Sequence, residues 1–268
     1  MARRWTNEEE NLHRKELIQL YILENKSIRE VGVILDIKES TVFDRLKRLE
    51  IPTNPQGKLH YNNQRSDIVI PIESRRLAEF LGIMLGDGHI SHFQAIVTLG
   101  TKEYPYVAYV QRLMTSLFGI EAHIHEKKSG YRNVYIGSVQ ITDWLRKQGL
   151  VSDKVAAQVD VPSWIFNERE YMKAFVRGFF DTDGSIYKLR FGIQISITNC
   201  SIPLLLALQR MLRTLGYNVS EVSVYRIYIT KRDDVARFFA KIKPKNTKHL
   251  YRFEEFTRRY SSGNEGRL

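Results

Sequence analysis

Two short stretches place aspartate beside glycine at the end of an apolar run. They are FLGIMLGDGHI (Phe80–Ile90) and RGFFDTDGSIY (Arg177–Tyr187). Aligned on their Asp-Gly pairs, Phe80–Gly88 lies over Val176–Gly184, so Asp87 answers Asp183. A carboxylate in the last turn of a helix faces the negative end of the helix dipole, which disfavours it by ~0.3–1 kcal/mol. Two such carboxylates brought together also repel, and a bound Mg²⁺ offsets that cost. Paired acids beside a basic surface therefore suit metal-assisted phosphodiester hydrolysis.

Rival chemistries fit less well. Counted from Asp181, the twelfth position of a calcium loop falls on Gly192, where a bidentate Glu is needed. His89, His92, His123 and His125 suit contacts to phosphate or water better than a metal cluster. Cys200 is the only cysteine, so neither an intramolecular disulfide nor a cysteine-based zinc site is available. There is no Walker A glycine loop.

The acids need two helices in close contact. Gly82 and Gly86 are four apart, as are Gly178 and Thr182, so each run carries a face of small residues. Gly88 and Gly184 are expected to take the left-handed conformation that ends a helix. Around these runs the chain repeats itself. The first half reads as helix (77–87), strand region (89–100), helix (103–118), strands (121–127, 132–138), helix (140–149) and a loop to Lys154. The second reads as helix (170–183), strands (185–197), helix (202–215), strands (218–224, 225–230), helix (232–243) and a loop to Lys248. The expected fold is α+β: a duplicated αββαββα unit about a pseudo-two-fold axis, with two antiparallel sheets forming a saddle.

The composition fits a nucleic-acid partner. Among 268 residues, 41 Lys and Arg oppose 30 Asp and Glu, a net charge of +11. That excess favours a polyanion over a membrane surface, because no strongly basic amphipathic helix stands out. With no apolar leader and no run of eighteen apolar residues, an intracellular setting and no membrane partner are expected.

Before the repeat, RKELIQLYILE (14–24) and IREVGVILD, capped by Ser27 with Glu30 three residues on, read as helices. Asp36 marks a left-handed turn, and ESTVFDRLKRLEI reads as a third helix. This segment resembles the helix-turn-helix of DNA-binding proteins, with Gly32 where two helices approach. The resemblance implies a recognition helix at 39–49 whose exposed Ser40, Thr41, Asp44, Arg45 and Arg48 face the major groove. The expected organisation is a helix-turn-helix domain (1–55), a linker (56–75), two repeats (76–160 and 161–260) and a flexible tail (261–268). In the linker, Lys58, His60 and Arg65 are candidates to follow a phosphate backbone.

From about residue 76 to 260, the duplicated motif resembles the LAGLIDADG homing endonucleases in their single-chain, two-motif form. The resemblance implies a monomeric endonuclease that cuts a long double-stranded DNA site with Mg²⁺, for which Mn²⁺ substitutes, leaving a staggered break. It implies Asp87 and Asp183 as catalytic metal-binding acids, with Gly86 and Thr182 beside them in the metal set. Asp181 matches an earlier acid of the motif, where the first copy has Leu85. Lys102, following Thr101, matches a basic position near the scissile phosphate, whereas the second half has Asn199 and Cys200 there. Candidates for the groove face are Arg132, Tyr187, Arg190, Gln194, Tyr225 and Arg226; Lys154 and Lys248 are candidates either to anchor the phosphate backbone or to cap a helix C-terminus. A transcription regulator that kept this scaffold and lost cleavage, and an RNA-splicing maturase, are the alternatives.

Overall fold

Both motif runs form helices in the computed structural model, which describes residues 5–24, 26–53, 67–190 and 192–261. Most of the linker, with Lys58, His60 and Arg65, lies outside the described residues, as do residues 262–268 of the expected tail. The chain divides into two units, Met1–Gln64 and Arg65–Leu268. Residues 67–73, assigned to the linker from sequence, belong to the second unit, where the Val69 N–H donates to the Phe118 carbonyl.

In the first unit, α1 (Asn7–Leu17) opens with a capping box between Thr6 and Glu9 and continues into a π-helical turn, Ile18–Leu23. Helix α2 (Ile28–Ile34) opens with the expected box between Ser27 and Glu30. Asp36 takes φ 54°, and α3 (Glu39–Arg48) follows. Leu17, Tyr21, Val31, Val42, Leu46 and Leu49 form the core. A Cβ at Gly32 would lie 2.8 Å from the Ile37 carbonyl oxygen, so the tight turn requires glycine.

The second unit begins with the first motif helix, α4 (Arg75–Leu85). Strands β1 (Gly88–Ile90) and β2 (Gln94–Leu99), helix α5 (Tyr104–Phe118), strands β3 (His123–Glu126) and β4 (Arg132–Gly137), and helix α6 (Val139–Lys147) complete the first repeat. After a 3₁₀ turn (Ser163–Asn167) come α7 (Arg169–Asp183), β5 (Gly184–Leu189), β6 (Gly192–Thr198), α8 (Ile202–Thr214), β7 (Arg226–Ile229) and α9 (Arg232–Lys241). The antiparallel sheets run β1-β2-β4-β3 and β5-β6-β7. No helix among the described residues is long and apolar enough to cross a membrane.

Three expectations change. Residues 218–224 form no ladder strand; Ser220 bonds Tyr228 and Ser223 bridges Arg226, leaving the second sheet one strand short. A further helix, α10 (Thr247–Ser261), follows the repeat and lays His249 against Phe180, ring centroids 4.5 Å apart. Gly184 is extended (φ −83°, ψ 156°) rather than left-handed, and β1 starts at Gly88. Both glycines are required by close approach: a Cβ would overlap the backbone of Met84 at Gly88 and of Phe180 at Gly184.

The two halves meet along α4 and α7. A methyl group at Gly82 would overlap the Phe175 carbonyl oxygen, and one at Gly178 would overlap that of Glu79. The helices therefore touch backbone to backbone, flanked by the fully buried Phe80, Ile83, Phe175 and Phe179. The buried Glu79 carboxylate crosses the same seam, accepting from Arg177 and, at 2.6 Å, from the Tyr109 hydroxyl. Gly178→Ala is expected to destabilise the repeat unit by about 1–3 kcal/mol, since neither backbone can retreat. Thermal unfolding of the full chain measures this, and an unchanged transition would contradict the packing.

Candidate active site and nucleic-acid interface

The motif helices end differently. Helix α7 runs through Asp183, whereas α4 stops at Leu85, so Asp87 stands just beyond its cap at Gly86. The last carbonyls of a helix lack intrahelical partners. At α4 the Lys154 ammonium supplies one, donating to Met84 and Leu85 at 3.1 Å each and to Gly86. Burial lowers the Lys154 pKa, opposed by the Asp183 and Asp87 charges. Lys154 thus takes the helix-capping role, the second of its two expected readings, rather than that of a phosphate-backbone anchor. Its counterpart Lys248 pairs at 2.8 Å with Glu103, a carboxylate that also accepts from Asn246 and from the Gly100 N–H, each at 2.6 Å.

Asp87 keeps solvent access, yet the surrounding protein displaces enough water to raise its pKa; Lys248 and Lys154 oppose this, and Glu103 adds to it. Asp183 is half-buried. Desolvation pushes its pKa to about 7, against a 2.7 Å hydrogen bond from the Asn199 amide, with the Asp87 charge adding to the rise. Asp181 plays a different part. It is fully buried and accepts backbone N–H groups from Lys245 (3.0 and 2.9 Å) and Asn246 (3.0 Å). Burial raises its pKa to about 7 while those donors pull it down. It pins the loop before α10 to the second motif helix, and Leu85 leaves the first repeat without an equivalent.

The donors near the acids suit a hard divalent cation. Two carboxylates whose charged forms are disfavoured stand at neighbouring helix ends, which the small residues let approach closely. A Cβ at Gly86 would overlap the Thr182 hydroxyl and come within 3.4 Å of an Asp183 oxygen. Asp87 and Asp183 are the residues that could hold such an ion. Of the other expected members, Gly86 has its carbonyl engaged by Lys154, and the Thr182 hydroxyl donates back to the Phe179 carbonyl at 2.9 Å. Among the described residues no cluster of three or more His, Cys, Asp or Glu forms a closed metal site. Lys102 is exposed in the turn after β2, beside the buried Glu103.

Strand register decides which side chains line the polar sheet faces. Tyr187 pairs with Gln194, Ser196 with Tyr228, and Thr198 with Arg226, all on the face opposite the isoleucine-rich core. Tyr187, Gln194 and Arg226 thus lie on the polar face of the second sheet, and Arg190 is exposed beyond β5. Arg132, expected on the groove face, does not lie on a polar face. It alternates with Val134 and Ile136 on the core face, is 4% exposed, and donates to the Thr101 carbonyl, Tyr104 and Glu126. The polar face of the first sheet carries His89, Thr98, His123, His125, Asn133 and Tyr135 instead. A shift of one residue separates the two assignments.

On α3, Ser40 is exposed and Thr41 half-exposed near the start of the helix. Arg45 and Arg48 stack on Trp5, their guanidinium carbons 5.4 and 4.1 Å from the ring centroid. The indole holds both near the C-terminal end of the helix.

Residues 74–149 and 170–243 match the family described as LAGLIDADG-like domain, one segment per repeat. Among curated proteins, the Replication factor C small subunit of Methanocaldococcus jannaschii is 30% identical over 118 residues, 43% of this chain and 6% of the relative. The tRNA-splicing ligase RtcB of Methanopyrus kandleri is 26% identical over 249 residues, 79% of this chain and 25% of the relative. The chain therefore spans a quarter or less of the curated relatives it matches here. Solved structures with similarity include the N-terminal LAGLIDADG domain of DUF199/WhiA (18% identity, TM-score 0.46, 65% of this chain and 84% of that one). I-DmoI in complex with DNA and Mn (16%, 0.46, 63% and 96%) and I-WcaI bound to its DNA recognition sequence (13%, 0.45, 76% and 96%) are others. With a family match on each repeat, and an Asp-Gly motif helix opening each one, the chain belongs to the LAGLIDADG-like domain family.

Proposed function

We propose that the protein is a divalent-metal-dependent endonuclease that cuts a long double-stranded DNA site on both strands. The observation that carries this reading is the convergence of Asp87 and Asp183 at the ends of two glycine-packed helices. The net charge of +11 and the Tyr- and Arg-bearing sheet faces supply affinity for a duplex. In this reading Tyr187, Arg190, Gln194, Tyr225 and Arg226 contact DNA from the second sheet, and the polar face of β1–β4 does so from the first. Ser40 and Thr41 approach base edges, while Arg45 and Arg48, steadied by Trp5, grip phosphates. Tethering this unit to the repeat raises overall affinity by making the second contact intramolecular.

The reaction needs a water positioned in line with each scissile phosphate. Asp87 and Asp183 orient that water and would hold the ion, balancing its charge. A bound Mg²⁺ or Mn²⁺ would supply Lewis acidity at the phosphoryl oxygen and at the leaving oxygen. Lys102 adds a cation on the first side; Asn199 holds the Asp183 oxygen on the second, so the two strands are cut at unequal rates. The regulator reading draws on that same loss of a lysine, since Asn199 and Cys200 stand where the first half has Thr101 and Lys102.

Purified protein is expected to cut a site-bearing duplex with Mg²⁺ or Mn²⁺ and not in EDTA. Asp87→Asn and Asp183→Asn should each lose double-strand cutting while binding the duplex within about threefold of wild type in a mobility shift. Specific binding without nicking in any divalent metal would favour the regulator instead. A second prediction follows from the raised Asp183 pKa. Its folded value, about 7, exceeds its unfolded value of 3.8, so the folded state holds the proton more tightly. Stability therefore falls as pH rises from about 4 to about 7, and the cost is complete above that. In EDTA, Asp183→Asn is expected to raise stability at pH 8 by about 1–3 kcal/mol and to leave it nearly unchanged at pH 4. Melting temperatures at the two pH values decide this.

A further inference from the structure

The second-repeat hairpin turns through two residues in left-handed geometry, Val224 at φ 47° and Tyr225 at φ 60°. Ser223 and Arg226 exchange both N–H···O=C bonds, at 2.9 and 3.0 Å, which closes a two-residue type I′ turn. That turn favours Asn-Gly, and a β-branched residue in left-handed geometry is a steric outlier. Nothing is gained by burial in exchange, because Val224 is 84% exposed and Tyr225 51%. The equivalent tip of the first repeat, between β3 and β4, places Gly130 at its left-handed position (φ 84°). Folding alone accounts for Gly130 and does not account for Val-Tyr.

The strained tip also stands close to the candidate chemistry. The Tyr225 carbonyl accepts the Asn199 N–H at 3.1 Å, and the Asn199 side chain donates to Asp183 at 2.7 Å. Arg226, next in the chain, pairs across the ladder with Thr198 on the polar face. The tip therefore projects an aliphatic and an aromatic side chain into solvent, with a cation beside them, one hydrogen bond from the partner of Asp183. Apolar side chains read DNA through the thymine C5-methyl group, which only a T·A pair presents in the major groove.

We propose that Val224–Tyr225 is a specificity element, held strained by the hairpin, that packs on base edges near the phosphate served by Asp183, with Val224 selecting a thymine. This rests on the duplex-binding reading above. The test is selection of duplexes from a randomised library by full-length protein in EDTA, so that binding is read without cutting. Val224→Asn/Tyr225→Gly should raise the melting temperature, yet weaken binding to the wild-type consensus roughly tenfold and erase preference at one or two adjacent positions. Val224→Asn alone removes both methyl groups, keeps Tyr225 and should lose only the thymine preference, with a melting temperature no lower than wild type. A more stable Asn-Gly variant that selects the same consensus with wild-type affinity would overturn the proposal. A wild-type protein that enriches no duplex would overturn the duplex-binding reading itself.

Discussion

The repeat unit depends on one contact, the backbone-to-backbone seam of α4 and α7 at Gly82 and Gly178. No side chain separates the helices there, so their ends are held together by main chain, which relaxes far less than side chains do. That closeness brings Asp87 and Asp183 into one electrostatic environment, and it is also what makes their charges costly. The seam thus does for the acids what a strained rotamer or a buried ion does elsewhere: it holds an unfavourable arrangement in place by packing that has no other solution. Glu79, Arg177 and Tyr109 extend the constraint toward the other end of the helices, where a buried carboxylate would be costly without its partners.

Pseudo-symmetry ends where the charges begin. At α4, Lys154 neutralises the helix end directly through three carbonyls. At α7 the corresponding stabilisation is indirect: Asp181 draws in the backbone of Lys245 and Asn246, and Asn246 passes the connection to Glu103 in the other repeat. Glu103 keeps its charge despite burial because Lys248 and Asn246 both donate to it. Each repeat is thereby secured by the loop that follows it, but through a lysine in one case and an aspartate in the other. A duplicated fold needs its helix seam to be symmetric; it does not need the same polar solution on each side.

How far the sequence disclosed this follows from the range of the interactions involved. The motif helices, their small faces and the order of elements were legible, because they depend on spacing within a single element. The Ser27–Glu30 capping box and the left-handed Asp36 were legible for the same reason. Arg132 was misplaced because the β period is two, so a one-residue shift moves a side chain from groove to core; its partners Thr101, Tyr104 and Glu126 are distant in sequence or across a turn. Residues 218–224 carry strand-like composition, yet the two-residue turn at Val224–Tyr225 leaves them only a bridge. For Lys154 the sequence allowed a helix cap but not which helix, because the end of α4 lies some seventy residues away. The motif places Asp181 among its acids without giving it a role; its backbone donors, some 65 residues on, supply one.

These misreadings share a physical origin that bears on function. Charged residues next to the motif fell into two groups that sequence does not separate: those that compensate the main chain and those left to meet a ligand. Lys154, Glu103, Asp181 and Arg132 have their hydrogen bonds filled by protein, so replacing them disturbs folding before chemistry. Asp87 and Asp183 stand together where the helices pack too closely for a methyl group at Gly86, and displaced water disfavours the charge they carry. A fold under selection for stability alone would protonate, pair or remove such acids. Under the endonuclease reading proposed above, a cation offsets the cost of the acids and a duplex that of a turn built from Val-Tyr in place of Asn-Gly.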